Sequence, residues 1–138
     1  MMRSFPSDHI AVTFDAPGPT FRHNMYPKYK QNRSPMPEEL RSQIPLIKRL
    51  LDELGVPVFC LPGVEADDVM GALAIQSAES GFKSLIASSD KDLAQLVNED
   101  VSLLRPAGRG IESSQQILDA FGVEAKYGVP PERIVDLL

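Results

Sequence analysis

The chain has 138 residues, the size of one ordinary domain, with 43% hydrophobic and 24% charged side chains and a net charge of −5. No run approaches 18 consecutive apolar residues, which excludes a membrane-spanning helix, and Met1–Pro6 offers no apolar segment for a secretory leader. A single cysteine, Cys60, excludes an internal disulfide and a thiolate zinc site and suits a cytoplasmic protein, while His9 and His23 are too few for a histidine-rich metal site.

In chain order, His9–Phe14 reads as a short buried strand that ends at Asp15, and Pro17-Gly18-Pro19 turns the chain. Residues 21–35 are basic and aromatic, with Pro27 and Pro35 limiting them to a loop or a short helix. A helix is expected from Pro37. Leu40, Ile44, Ile47, Leu50, Leu51 and Leu54 recur at helical spacing, Gly55 stops it, and Pro45 should kink it or break it in two. Val56–Leu61 is a second strand. Pro62-Gly63 turns into a helix from about Glu65 to Ser80, with Val69, Leu73 and Ala74 inward and Gly81 as its stop. Phe82–Ala87 is a third strand, followed by a helix over Lys91–Val97 capped by Ser88 or Ser89. Val101–Leu104 is a fourth strand. Ser114 can cap a helix to Phe121, and Pro130-Pro131 opens a last helix. Strands alternating with helices indicate an α/β fold, a parallel twisted sheet with flanking helices.

Charge is unevenly spread. Residues 22–49 hold seven basic side chains against Glu38 and Glu39, a local net of +5, and residues 50–100 hold ten acids against Lys83 and Lys91, a local net of −8. This is either a pair of solvated faces or a basic substrate grip beside an acidic metal site. In a parallel sheet, ligands bind beyond the C-terminal strand ends. Asp15 follows the first strand, Glu65, Asp67 and Asp68 the second, and Asp90 and Asp92 the third, so six carboxylates are expected on one rim. Converging carboxylates either take up protons or hold a cation. Oxygen donors without His or Cys suit Mg²⁺ or Mn²⁺. A simpler reading also exists for each acid: the helix dipole favours Glu65, Asp67 and Asp68 in a first turn, and Asp90 can be a cap.

Paired ions held by carboxylates catalyse phosphodiester hydrolysis, which requires a polyanionic substrate. Lys30 and Arg33 stand three apart and would share a helix face, with Tyr26 and Tyr29 beside them for base stacking or for plain packing. Four functions remain in view. They are a metal-dependent nuclease, a nucleic-acid-binding module that does not cut, an RNase, and a small-molecule phosphatase or receiver. The last fits the fold class but not the basic stretch.

An ordered set of segments narrows the choice. Ala11-Val-Thr-Phe-Asp15, Thr20-Phe-Arg-His23, Tyr29-Lys-Gln-Asn-Arg33, Pro35-Met-Pro37, Glu65-Ala-Asp-Asp68, Ser89-Asp-Lys-Asp-Leu93, Gln95-Leu-Val97, Phe121-Gly-Val123 and Pro130–Leu138 together resemble the 5′→3′ exonuclease domain of bacterial DNA polymerase I. The resemblance covers nearly the whole chain. It implies a PIN-like 5′ nuclease core with a two-metal site of Mg²⁺ or Mn²⁺, cutting DNA at a 5′ flap or 5′ end. A PIN-like RNase is the alternative within the wider group. Asp15, Glu65, Asp67, Asp68, Asp90 and Asp92 look like the metal-site acids. Lys30 and Arg33 look like the basic pair of an arch or gateway spanning about residues 20–36, and with Asp68 they are the expected catalytic residues. Arg22, Lys28, Tyr29, Lys30 and Arg33 are the expected DNA contacts. Residues 1–138 are expected to form one partial domain, with a polymerase domain in a longer parent and no membrane partner. Family members carry an earlier strand with another metal-site aspartate, and they continue past the equivalent of Leu138 into two more aspartates and a helix-hairpin-helix. The resemblance therefore implies a core with a reduced metal shell, weakened catalysis, an exposed sheet edge and a tendency to self-associate.

Overall fold

The computed structural model describes residues 5–107 and 115–137. The chain divides into two compact units, Met1–Val69 and Met70–Leu138.

In the first unit, β1 (Val12–Thr13) and β2 (Val58–Phe59) form a two-stranded parallel sheet, with Val12 opposite Val58 and Thr13 opposite Phe59. Both strands are shorter than the apolar runs around them. Between them lie α1 (Phe21–Met25), α2 (Glu38–Arg41) and α3 (Ile44–Glu53). Pro45 breaks the expected long helix in two, because its ring cannot follow a helical turn but suits the first turn of α3. Gly55 then leaves α3 in the left-handed conformation (φ 67°), which glycine reaches without a Cβ clash. α3 is strongly amphipathic in pattern, yet none of its residues is buried, and Leu46, Ile47 and Leu50 are exposed. Among the described residues of this unit, the buried side chains are Val56, Val69, Thr20 and Glu65, two of them polar.

The chain passes into the second unit within α4 (Ala66–Glu79). A three-stranded sheet follows in the order β3 (Ser84–Ala87), β4 (Val101–Arg105), β5 (Gln116–Leu118). β3 and β4 are parallel, with Ile86 opposite Leu103, while β5 runs antiparallel to β4, with Leu103 opposite Leu118. The α/β class holds, with one antiparallel strand added to the parallel pairings. The helix expected up to Phe121 is replaced by β5 and by α5 (Ala120–Tyr127), and its proposed cap, Ser114, lies outside the described residues. Asp119 starts α5: its side chain accepts from the Gly122 N–H at 2.8 Å. Residues Lys91–Leu96 and Pro131–Leu137 form 3-10 rather than α-helical turns. The core of this unit joins Ala74, Ile86, Val101, Leu103, Leu118, Val123 and Ile134. β4, paired on both edges, supplies the most completely buried leucines, Leu103 and Leu104.

Candidate active site

The N-terminus of α4 organises the acids of the first unit. Asp15, just beyond β1, accepts the Ala66 N–H through Oδ1 at 2.8 Å, satisfying one of the donors that the first helical turn leaves open. Asp68 folds back on the same turn, its Oδ2 accepting from the Glu65 N–H at 2.9 Å. Asp67 projects from the same turn and is exposed.

The basic segment meets these acids. Arg22 places its planar fork on Asp68, with Nη1 donating to Oδ2 and Nη2 to Oδ1, both at 2.7 Å. Lys30 Nζ donates to Glu65 Oε1 at 2.7 Å, and the Tyr29 hydroxyl donates to Glu65 Oε2 at 3.1 Å. Arg22 Nη1 also lies 3.7 Å from Glu65 Oε2. Glu65 is only 8% exposed, and these partners account for its burial. The electrostatics follow the contacts. The Arg22 hydrogen bonds, against the opposing effect of burial, hold the Asp68 carboxyl below its ordinary range. The same bonds raise the Arg22 guanidinium. Burial acts against the charge of Lys30, but its hydrogen bond and attraction to Glu65 outweigh it and raise its ammonium.

Local structure aims these side chains. Thr20 is buried and starts α1 as a capping box: its N–H donates to His23 Nδ1 at 3.0 Å, so that nitrogen serves as an acceptor. The Phe21 N–H donates to the Gly63 carbonyl at 2.9 Å, tying the start of α1 to the turn that leads into α4. The His23 and Tyr29 rings meet edge to face at 5.4 Å. Residues 27–32 are consecutive turns, not a helix, so Lys30 and Arg33 do not share a helix face. Lys30 itself has φ 55°, a left-handed conformation unusual for a side chain of this size, and its ammonium lies 5.1 Å from the Tyr29 ring. Lys28 and Arg33 are exposed.

Asp90 and Asp92 belong to the second unit. Asp90, not Ser88 or Ser89, caps the turn at Lys91–Leu96, accepting the Asp92 N–H at 3.0 Å, while Ser88 Oγ accepts the Asp90 N–H at 3.1 Å. Among the described residues, no group of three or more His, Cys, Asp or Glu side chains is arranged to hold a metal ion. The donor chemistry of Asp15, Glu65, Asp67 and Asp68 fits a hard divalent cation, because all are carboxylates. In the arrangement seen, however, both oxygens of Glu65 and both of Asp68 are engaged by Arg22, Lys30 and Tyr29.

Spacing alone does not reveal the pairing of Arg22 with Asp68 or the contact of Tyr29 with Glu65. The one local signal is the Thr20-x-x-His23 pattern, in which a threonine precedes a third-position acceptor. Cys60, just after β2, lies between Lys48 Nζ at 3.4 Å and the Asp15 carbonyl at 3.7 Å.

Residues 1–128 match the family of 5′-3′ exonuclease, N-terminal resolvase-like domains. The chain belongs to this family. It is 41% identical over 138 residues to the 5′-3′ exonuclease of Buchnera aphidicola, covering 100% of this chain and 44% of that protein. It is 41% identical over 138 residues to DNA polymerase I of Pseudomonas aeruginosa, covering 100% of this chain and 14% of the polymerase. It is 42% identical over 130 residues to the 5′-3′ exonuclease of Aquifex aeolicus, covering 94% and 43%. The chain thus spans less than half the length of these relatives. Among solved structures, the T5 5′-exonuclease with bound divalent zinc matches with a TM-score of 0.74 and 22% identity, covering 99% of this chain and 52% of that one. The bacteriophage T5 flap endonuclease in a pseudo-enzyme–product complex with DNA and metal ions matches with a TM-score of 0.75 and 20% identity, covering 99% and 52%. These two likenesses establish that the chain shares the fold of the T5 proteins. Among the described residues, no helix is long and apolar enough to cross a membrane.

Proposed function

We propose that the chain is the core of a metal-dependent 5′ nuclease, a 5′→3′ exonuclease or 5′ flap endonuclease that hydrolyses phosphodiesters in DNA. The observation that carries this reading is the meeting of the basic segment with the α4 acids, Arg22 on Asp68 and Lys30 on Glu65, in a chain of this family. The names of the Buchnera and Aquifex relatives, and the DNA and metal ions in the T5 complex, support it.

The proposed ligands of Mg²⁺ or Mn²⁺ in the first unit are Asp15, Glu65, Asp67 and Asp68, and Asp90 and Asp92 are proposed as further metal-site acids on the family resemblance. A divalent cation held by these acids would supply Lewis acidity to phosphodiester hydrolysis. The chain's own cations, Arg22, Lys28, Lys30 and Arg33, are proposed to hold the phosphates of the substrate strand. DNA bearing a 5′ end or 5′ flap is the proposed substrate, and residues 1–138 the proposed partial domain with its basic segment at about 20–36. A cytoplasmic location and a polymerase domain in a longer parent complete the proposal, the latter supported by the polymerase relative.

Engagement of all four Glu65 and Asp68 oxygens by side chains favours a second reading, a module that grips nucleic acid without cutting it. Single-turnover cleavage of a flap DNA in Mn²⁺, set beside DNA binding in chelator, separates the two. Cleavage that depends on Asp68 supports the nuclease. Binding without cleavage supports the module. Flap DNA beside single-stranded RNA tests the RNase alternative in the same assay.

A further inference from the structure

We propose that Arg22 and Lys30 are exchangeable counter-ions, which neutralise Asp68 and Glu65 in the ion-free protein and are released toward nucleic-acid phosphate when a divalent cation takes these carboxylates. The inference rests on the nuclease reading and adds to it a coupling between cation and phosphate. Five hydrogen bonds carry it. Asp68 accepts two bonds from the Arg22 fork at 2.7 Å and a third from the Glu65 N–H at 2.9 Å, which leaves little of a carboxylate's acceptor capacity. Glu65, nearly buried, accepts from Lys30 at 2.7 Å and from Tyr29 at 3.1 Å.

A hard cation coordinates carboxylate oxygens at about 2.0–2.6 Å. It cannot reach lone pairs already directed at an ammonium and a guanidinium, and it repels both. The exchange is balanced in charge: Arg22 and Lys30 together carry two positive charges against the two negative charges of Glu65 and Asp68, and one divalent ion replaces them without leaving a buried charge uncompensated. Both basic side chains keep an open side, at 32% and 25% exposure, so each can swing outward without crossing a packed core. Once out, they present two positive charges from a segment that already exposes Lys28 and Arg33. Coupling of this kind is reciprocal, so the cation strengthens phosphate binding by the factor by which phosphate strengthens cation binding.

The test titrates the full chain with Mn²⁺ alone, without DNA, and reads free Mn²⁺ by electron paramagnetic resonance. Arg22→Gln and Lys30→Gln are each expected to bind Mn²⁺ more tightly, by about tenfold, a typical size for coupled sites. Arg22→Lys, which keeps the charge and loses the fork, is expected to fall between Arg22→Gln and the parent. If Arg22→Gln does not fold, Lys30→Gln reads the same exchange at Glu65. In a second arm, Ca²⁺ in place of chelator is expected to strengthen binding of a 5′-phosphorylated oligonucleotide to the parent several-fold, and less so to the double variant. A structural role for the two cations moves Mn²⁺ affinity the other way, so unchanged or weaker Mn²⁺ binding in both Gln variants overturns the proposal. If Mn²⁺ binding is lost in Asp68→Asn but unmoved by Arg22→Gln and Lys30→Gln, the exchange fails and the nuclease reading stands. If no variant binds Mn²⁺ and none cleaves DNA, both fail.

Discussion

Glu65 is the residue on which the first unit turns: a lysine and a tyrosine donate to its nearly buried carboxylate, and the first turn of α4 donates to its backbone carbonyl. Tyr29 supports the acid through its hydroxyl. Tyr29→Phe keeps the ring against His23 and deletes only the hydroxyl. It is expected to lower stability by about 1.5–3 kcal/mol, the range for a hydrogen bond to a charged group, in urea unfolding under chelator. The Arg22–Asp68 pair has a pH signature. Because the Asp68 carboxyl sits below its ordinary range, its contribution is complete above the unfolded-chain value, about 3.9, and disappears as pH falls through the lower folded value. Lys30 behaves in the opposite sense, its raised ammonium contributing below the unfolded value of about 10.4 and losing its effect as pH rises through the folded one. Arg22→Gln is accordingly expected to destabilise at neutral pH and to match the parent in strong acid, as measured by denaturant midpoints across pH. The acids and bases of this site were legible as types and as an ordered pattern. Their pairing was not, because Arg22 and Asp68 lie 46 positions apart and only the fold brings them together.

At the scale of elements, punctuation residues carried most of the legible information. Pro45 marks the break between α2 and α3, Gly55 and Gly81 end helices with left-handed φ, and acids cluster at the start of α4. The stretch expected as a helix to Phe121 is instead a strand followed by a helix. β5 takes the edge of β4 opposite β3, and pairing Leu118 with Leu103 buries it in the core. The helix begins only at Asp119, whose side chain supplies the cap. Asp119→Ala is expected to cost about 1 kcal/mol of stability, read as a lower urea midpoint with unchanged slope. The 3-10 turn at Lys91–Leu96 was expected as a full helix. Its six residues bury Leu93 and Ala94, and Val97 at its end is extended, so the segment serves packing in two tight turns.

At the scale of the whole molecule, apolar burial is uneven. Unit Met70–Leu138 holds the core cluster, whereas α3 in unit Met1–Val69 buries none of its residues. Leu103→Ala, at a fully buried site on the central strand, is expected to cost about 2–5 kcal/mol. Leu50→Ala, at a site 59% exposed, is expected to change stability by less than about 0.5 kcal/mol. Thermal unfolding of both variants checks the contrast. The first unit instead sets ion pairs between the basic segment and the α4 acids, Arg22 on Asp68 and Lys30 on Glu65, where a nuclease core would need its charges. The most direct measurement is therefore Mn²⁺-dependent cleavage of a 5′-labelled flap DNA by the full chain, with Asp68→Asn beside it. Cleavage that requires the ion and vanishes in the variant is the expected result. DNA binding with no cleavage by the parent at any Mn²⁺ concentration, or cleavage unaffected by Asp68→Asn, contradicts the assignment of this carboxylate cluster as a nuclease site.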